Sequence, residues 1–248
     1  MPRNLQPQKY LASIFVVEPA WGSSAKLAKH LAQMLGKEGI DVSAMPLEVP
    51  AEAPPEIPRI ALVSVTQSWQ VYASFMRIDL NLLPSRLGES DRRLSSAEFW
   101  FTAGRLFSRL LEELALDVNR IAAVLEAAAD TTDTEGSPDD YVRRRFLSAD
   151  LPQGLHSDTH DSEAHVYQRP RWSTEQREVV LNKIFRIKAL HANILEGKRN
   201  SLFIEIDCNT IPDDPSIRFS GGELKAFYEQ MPKWTKDTIS GCLEGMQL

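Results

Sequence analysis

The chain has 248 residues, 43% of them hydrophobic and 25% charged, with a formal net charge of -6. That length can bury a core without staples, and the composition excludes collagen, coiled coil, disorder and a small disulfide scaffold as descriptions of the whole. The acidic balance disfavours a general nucleic-acid or anionic-membrane binder, and the cysteines, Cys208 and Cys242, are too few for a disulfide framework or a zinc ribbon and read as buried hydrophobes.

Residues 11–17 (LASIFVV) are apolar and β-branched, too short a run to span a bilayer, and read as a strand of a cytoplasmic protein. Ser23 and Ser24 then cap a helix over 25–36, with Leu27, Leu31, Met34 and Leu35 on one stripe. Pro46 makes 41–49 an edge strand, and the four prolines of 50–58 make a stiff connector. Segments 59–66 and 69–83 form a hairpin across Gln67 and Ser68. Within the second, Met76, Ile78, Leu80 and Leu82 alternate with Arg77, Asp79 and Asn81, which predicts one buried and one wet sheet face.

A polar loop over 85–93 leads to Ser95-x-x-Glu98, a capping box opening a helix over 96–116. Trp100, Ala103, Gly104, Phe107, Leu111 and Leu114 mark its inner face. The alanines of 119–130 favour continued helix, whereas the internal repeat described next favours a strand. Residues 131–165 are polar and acidic, with a short helix at 138–147. Strands are expected near 165–172, 177–191 and 200–210. Ser220-x-x-Glu223 then opens a terminal helix with Leu224, Phe227, Met231 and Trp234 inward, kinked or split by Pro232.

The two halves resemble each other. FMRIDLNLLP (75–84) aligns with FIEIDCNTIP (203–212), matching Asp79 to Asp207, and each segment precedes a polar loop, a capping box and an amphipathic helix. Upstream, FVVEPA (15–20) resembles AVLEAA (123–128). The expected fold is α+β, with duplicated β-α-β-β-β-α units at 1–117 and 118–248 forming one pseudo-symmetric body. A mainly antiparallel sheet would carry helices packed on one face, each copy covering the other's edge and apolar flank.

The element order, VNRIAAVLEAA after the long helix and SLFIEIDCN before the terminal one resemble a sporadically distributed family of bacterial proteins of unassigned function. The resemblance implies a cytoplasmic protein, often from variable or antiviral-defence neighbourhoods, and transfers no catalytic residue. By topology alone the duplicated order is also similar to sliding-clamp and TATA-binding-protein-like repeats, whose DNA-binding role the acidic balance disfavours.

Several clusters invite a chemical reading. The run LHSDTHDSEAH offers His156, Asp158, His160 and His165 as metal ligands for a metal-dependent hydrolase, without a recognised ligand spacing and against the alternative of a solvated acidic loop. Asp79 and Asp207 would share a proton or an ion only if the fold brought them within a few ångström. Glu196-x-Lys198, or Glu205 with Asp207, has the wrong order for a nuclease strand. Arg143–Arg145, Arg169, Arg171, Lys183, Arg186 and Lys188, interleaved with Tyr167 and Trp172, form a basic strip that a nucleic acid could follow, flanked by acidic residues. No GxxxxGK, GxGxxG or nucleophile elbow is present, and no cofactor is expected.

The leading expectation is a non-enzymatic protein-interaction module, a sensor or accessory subunit of a defence-type system whose partner is a neighbouring gene product. Its candidate contact residues are Arg77, Asp79, Glu205 and Asp207 on the wet sheet face, and Trp172, an aromatic beside arginines.

Overall fold

The computed structural model describes residues 5–18, 24–45, 47–50, 52–87, 95–131, 137–146, 162–194, 197–211 and 216–243. Among them the first half contributes β1 (Gln6–Val16), α1 (Ser24–Lys37), β2 (Val42–Met45), β3 (Ile60–Ser64), β4 (Trp69–Ala73), β5 (Arg77–Leu82) and α2 (Ser96–Leu114). The second contributes β6 (Val118–Asp130), α3 (Pro138–Phe146), β7 (Glu163–Gln168), β8 (Arg171–Ser173), β9 (Glu178–Ile194), β10 (Gly197–Thr210) and α4 (Gly221–Cys242). The strands run in the order β2-β3-β4-β5-β1-β6-β10-β9-β7, with β8 also on β9, and every pairing is antiparallel.

Alternation along the strands sorts the two faces. Tyr10, Ala12, Ile14 and Val16 of β1, Ile78, Leu80 and Leu82 of β5, and Ile204, Ile206 and Cys208 of β10 are buried beneath the helices. The aromatic centre of this core joins sheet to helices. Trp100 of α2 meets Tyr10 edge-on at 5.8 Å and stacks on Tyr228 of α4 at 6.3 Å. The helices α2 and α4 approach closely because Gly104 lacks a side chain: a Cβ there would lie 3.3 Å from Lys225 Cα and 3.4 Å from its carbonyl oxygen. Both capping boxes form, Ser95 with Glu98 and Ser220 with Glu223.

The Tyr228 hydroxyl donates to the Ser13 carbonyl at 2.7 Å and lies 3.3 Å from that of Ala122, two residues opposed in the β1–β6 pairing. Burial pushes this phenol well above its ordinary range, so it stays a neutral donor over the seam between the halves. Tyr228→Phe is expected to lower stability by ~1–2 kcal/mol, because the buried Ser13 carbonyl loses the hydrogen bond from this hydroxyl; urea denaturation measures it.

The alternative left open at 119–130 resolves as the strand that the repeat favours, since pairing with β1 on one side and β10 on the other outweighs helix propensity. Other expectations change. Segment 69–83 is two strands, folded at 74–76, where the Ser74 hydroxyl accepts the Met76 N–H at 3.2 Å. The strand expected near 165–172 also breaks, at Pro170. Among the described residues each half therefore carries one strand more than the β-α-β-β-β-α order expected. Pro232 does not split α4, which runs unbroken from Gly221 to Cys242; its inner residues Phe227, Met231 and Ile239 are clamped in the core on both sides of the proline. The FVVEPA/AVLEAA match does not hold in three dimensions. It equates Phe15, which stands on the helix-free face against Arg77 and Arg120, with Ala123, which is fully buried on the helix side.

Candidate functional site: the helix-free sheet face

The side chains that alternate away from the helices make a second surface across the middle of the sheet. Arg77, Asp79, Glu205 and Asp207 all belong to it, as the alternation of 75–84 and 203–212 predicts. Cross-strand pairing arranges it in rows.

One row crosses five strands. Lys9, Glu126, Glu205, Arg186 and His165 stand opposite one another in turn. Lys9 Nζ lies 2.9 Å from Glu126 Oε1, and Arg186 pairs with Glu205. Glu126 and Glu205 directly oppose each other, a repulsive placement by itself. The flanking cations offset it and give the row the charge order plus, minus, minus, plus. At its end His165 Nε2 lies 2.5 Å from Glu163 Oε1, and this hydrogen bond holds the Glu163 carboxyl below its ordinary range.

A second cluster surrounds Phe15. Arg77 Nε and Ser13 Oγ both donate to Asp79 Oδ1, at 2.6 and 2.5 Å. Burial pushes the Asp79 carboxyl above its ordinary range, with Arg77 and Ser13 working against that shift. The guanidinium carbons of Arg77 and Arg120 lie 5.1 and 4.7 Å from the centroid of Phe15, within the range of cation–π attraction. Arg120 also donates to Asn209 Oδ1 at 3.4 Å, and Asn209 Nδ2 donates to Asp207 Oδ1 at 2.9 Å.

The two aspartates do not form a shared-proton pair. Strands β1 and β6 lie between their own strands, so three spacings, ~14 Å at ~4.8 Å each, separate them. Trp172 is also not a surface aromatic: it is 8% exposed and meets Phe227 and Trp234 edge-on at 5.6 and 6.3 Å. The reason is β8, which turns that side chain in under α4. The basic strip divides for a similar reason. Alternation along β9 puts Lys183 on the helix side, over the Trp234 ring at 5.0 Å, while Arg186 and Lys188 face the other way. Arg171 pairs with Glu178 at 2.6 Å and Arg143 with Asp140 at 2.8 Å.

Of the proposed metal ligands, His156, Asp158 and His160 lie outside the described residues, as does Glu196. Among the described residues, no three of His, Cys, Asp and Glu converge on a point that could hold a metal ion. Likewise, no helix among them is long and apolar enough to cross a membrane. Lys9, Ser13, Phe15, Arg120 and Glu126 also belong to this face, beyond the candidates the sequence offers. Two of them carry a local signal: once 119–130 is read as a strand, Arg120 and Glu126 fall opposite in phase to Ile121 and Leu125. The pairing of Lys9 with Glu126, 117 residues apart, has no local signal. No family model matches the chain and no curated protein matches it, so its functional reading rests on this geometry.

Proposed function

We propose that the protein is a docking module without catalysis of its own, a sensor or accessory subunit whose helix-free sheet face receives a protein partner encoded by a neighbouring gene. The observation that carries this reading is the face itself, a continuous surface over five strands with charges of both signs in fixed register and a Phe15 ring held between Arg77 and Arg120. Arginine and aromatic side chains dominate binding energy at interfaces, and a fixed charge order selects partners by complementarity.

We also propose that residues 1–117 and 118–248 descend from one duplicated unit. What supports it is the order of strands outward from the central pair: β1, β5, β4 on one side and β6, β10, β9 on the other. Asp79 and Asp207 occupy matching strands in that order, and α2 and α4 follow them behind matching capping boxes. Such a scaffold closes its core across a central antiparallel pair and leaves one broad face available.

The test is co-elution of the purified chain with the neighbouring gene product, followed by titration calorimetry. Arg77→Ala is expected to weaken the complex by about tenfold or more, the effect of losing a hot-spot side chain. Lys29→Ala, on the exposed side of α1, is expected to leave affinity unchanged. Failure of the pair to associate, or equal effects of the two variants, overturns the proposal.

A further inference from the structure

On the helix side, away from the face just described, the structure holds a cleft of about 440 Å³ between β7, β9, α3 and the C-terminal turn of α4. Its floor and walls include Phe146, Phe185 and Ile206, so most of what a ligand would touch there is apolar. Among the described residues, three charged side chains line it: Arg145, Lys183 and Asp237. Two cations against one carboxylate leave an excess of one positive charge.

These cations are differently held. Arg145 uses Nε and Nη2 on the carbonyls of Cys242 and Gly241, at 3.0 and 3.4 Å, which fixes its guanidinium at the end of α4. Lys183 lies over the Trp234 ring, and among the described residues no carboxylate pairs with it. A half-buried lysine held on an aromatic ring, with no carboxylate paired to it, keeps its ammonium hydrogens available to an acidic ligand. Cys242 also lines the cleft; burial raises its thiol, so it adds no negative charge that would repel an anion.

We propose that this cleft binds a small monocarboxylate with an apolar body, its carboxylate on Lys183 and Arg145 and its hydrocarbon against Phe146, Phe185 and Ile206. The size falls in the ordinary range for small-molecule sites, and the single excess charge favours a monoanion over a dianion. Because the cleft lies on the opposite side of the sheet from the docking face, this site stands whether or not that face binds a partner.

The test uses octanoate and its neutral counterpart octan-1-ol, titrated against the full chain while tryptophan fluorescence is followed, since Trp234 lies under Lys183. Octanoate is expected to saturate one site and to bind about tenfold or more tightly than octan-1-ol, the worth of a charge-assisted contact. Lys183→Met and, separately, Arg145→Gln are each expected to weaken octanoate several-fold and leave octan-1-ol unchanged, with melting by circular dichroism confirming the fold of each. Non-saturating octanoate binding, equal affinity for the alcohol, or wild-type octanoate affinity in both folded variants overturns the site.

Discussion

Trp100→Ala is expected to destabilise the protein by about 3–5 kcal/mol, the cost of removing a large aromatic from a packed core. Trp100 is fully buried and sits where three elements meet. Phe99 contacts it edge-on at 4.8 Å, Tyr10 of β1 edge-on at 5.8 Å, and Tyr228 of α4 stacks on it at 6.3 Å. The cavity left behind would open under the central strands, and the site cannot collapse easily. The backbones of α2 and α4 are already close at Gly104, where even a Cβ would lie 3.3 Å from Lys225 Cα, which leaves little room for the helices to shift toward each other. Chemical denaturation should show the midpoint falling with little change in slope. A loss below about 1 kcal/mol would mean that this ring is not the keystone of the core.

Glu223→Ala is expected to cost ~2–4 kcal/mol, somewhat below the ~3–5 kcal/mol for breaking a fully buried pair, because Arg177 keeps access to water. The Glu223 side chain is only 5% exposed and serves two structures at once. It accepts the Ser220 N–H at 2.9 Å, closing the capping box of α4. It also accepts from Arg177 Nη2 at 2.8 Å and Thr174 Oγ1 at 3.0 Å, which ties the β8–β9 turn to the start of that helix. Removing it therefore frees a helix end and takes the carboxylate from Arg177, which keeps the Arg218 carbonyl and water as partners. Glu223→Gln keeps the acceptor oxygen and loses the charge, so it should recover the cap but not the ion pair and fall between wild type and Glu223→Ala. Thermal melts of the three proteins give the ranking.

The capping box at Ser220 was legible in the sequence, but the second role of Glu223 was not. Ser-x-x-Glu is a local arrangement whose partners lie within one helical turn. The Thr174 and Arg177 contacts arrive from residues more than forty positions away, and nothing in the local pattern marks them. The same division runs through the candidate face. The alternation of Arg77, Asp79 and Asn81 with Ile78 and Leu80 reads directly as one wet and one dry side. That Asp79 would share Ser13 with Arg77, or that Glu126 would oppose Glu205, depends on which strands become neighbours.

The features legible from the chain alone are therefore periodic and short-range: the faces of strands, the stripes of helices, the two helix starts at Ser95 and Ser220, and the mixed α+β character. These follow from side-chain geometry repeated every two or 3.6 residues, which needs no knowledge of distant chain. The tertiary structure decided the rest: that 118–130 is a central strand despite its alanines, that Trp172 turns inward, that Asp79 and Asp207 stand apart on one face, and that Lys183 faces a cleft. Each of these depends on pairing between segments far apart in the chain, where the free energy of burying a shared surface outweighs any local preference.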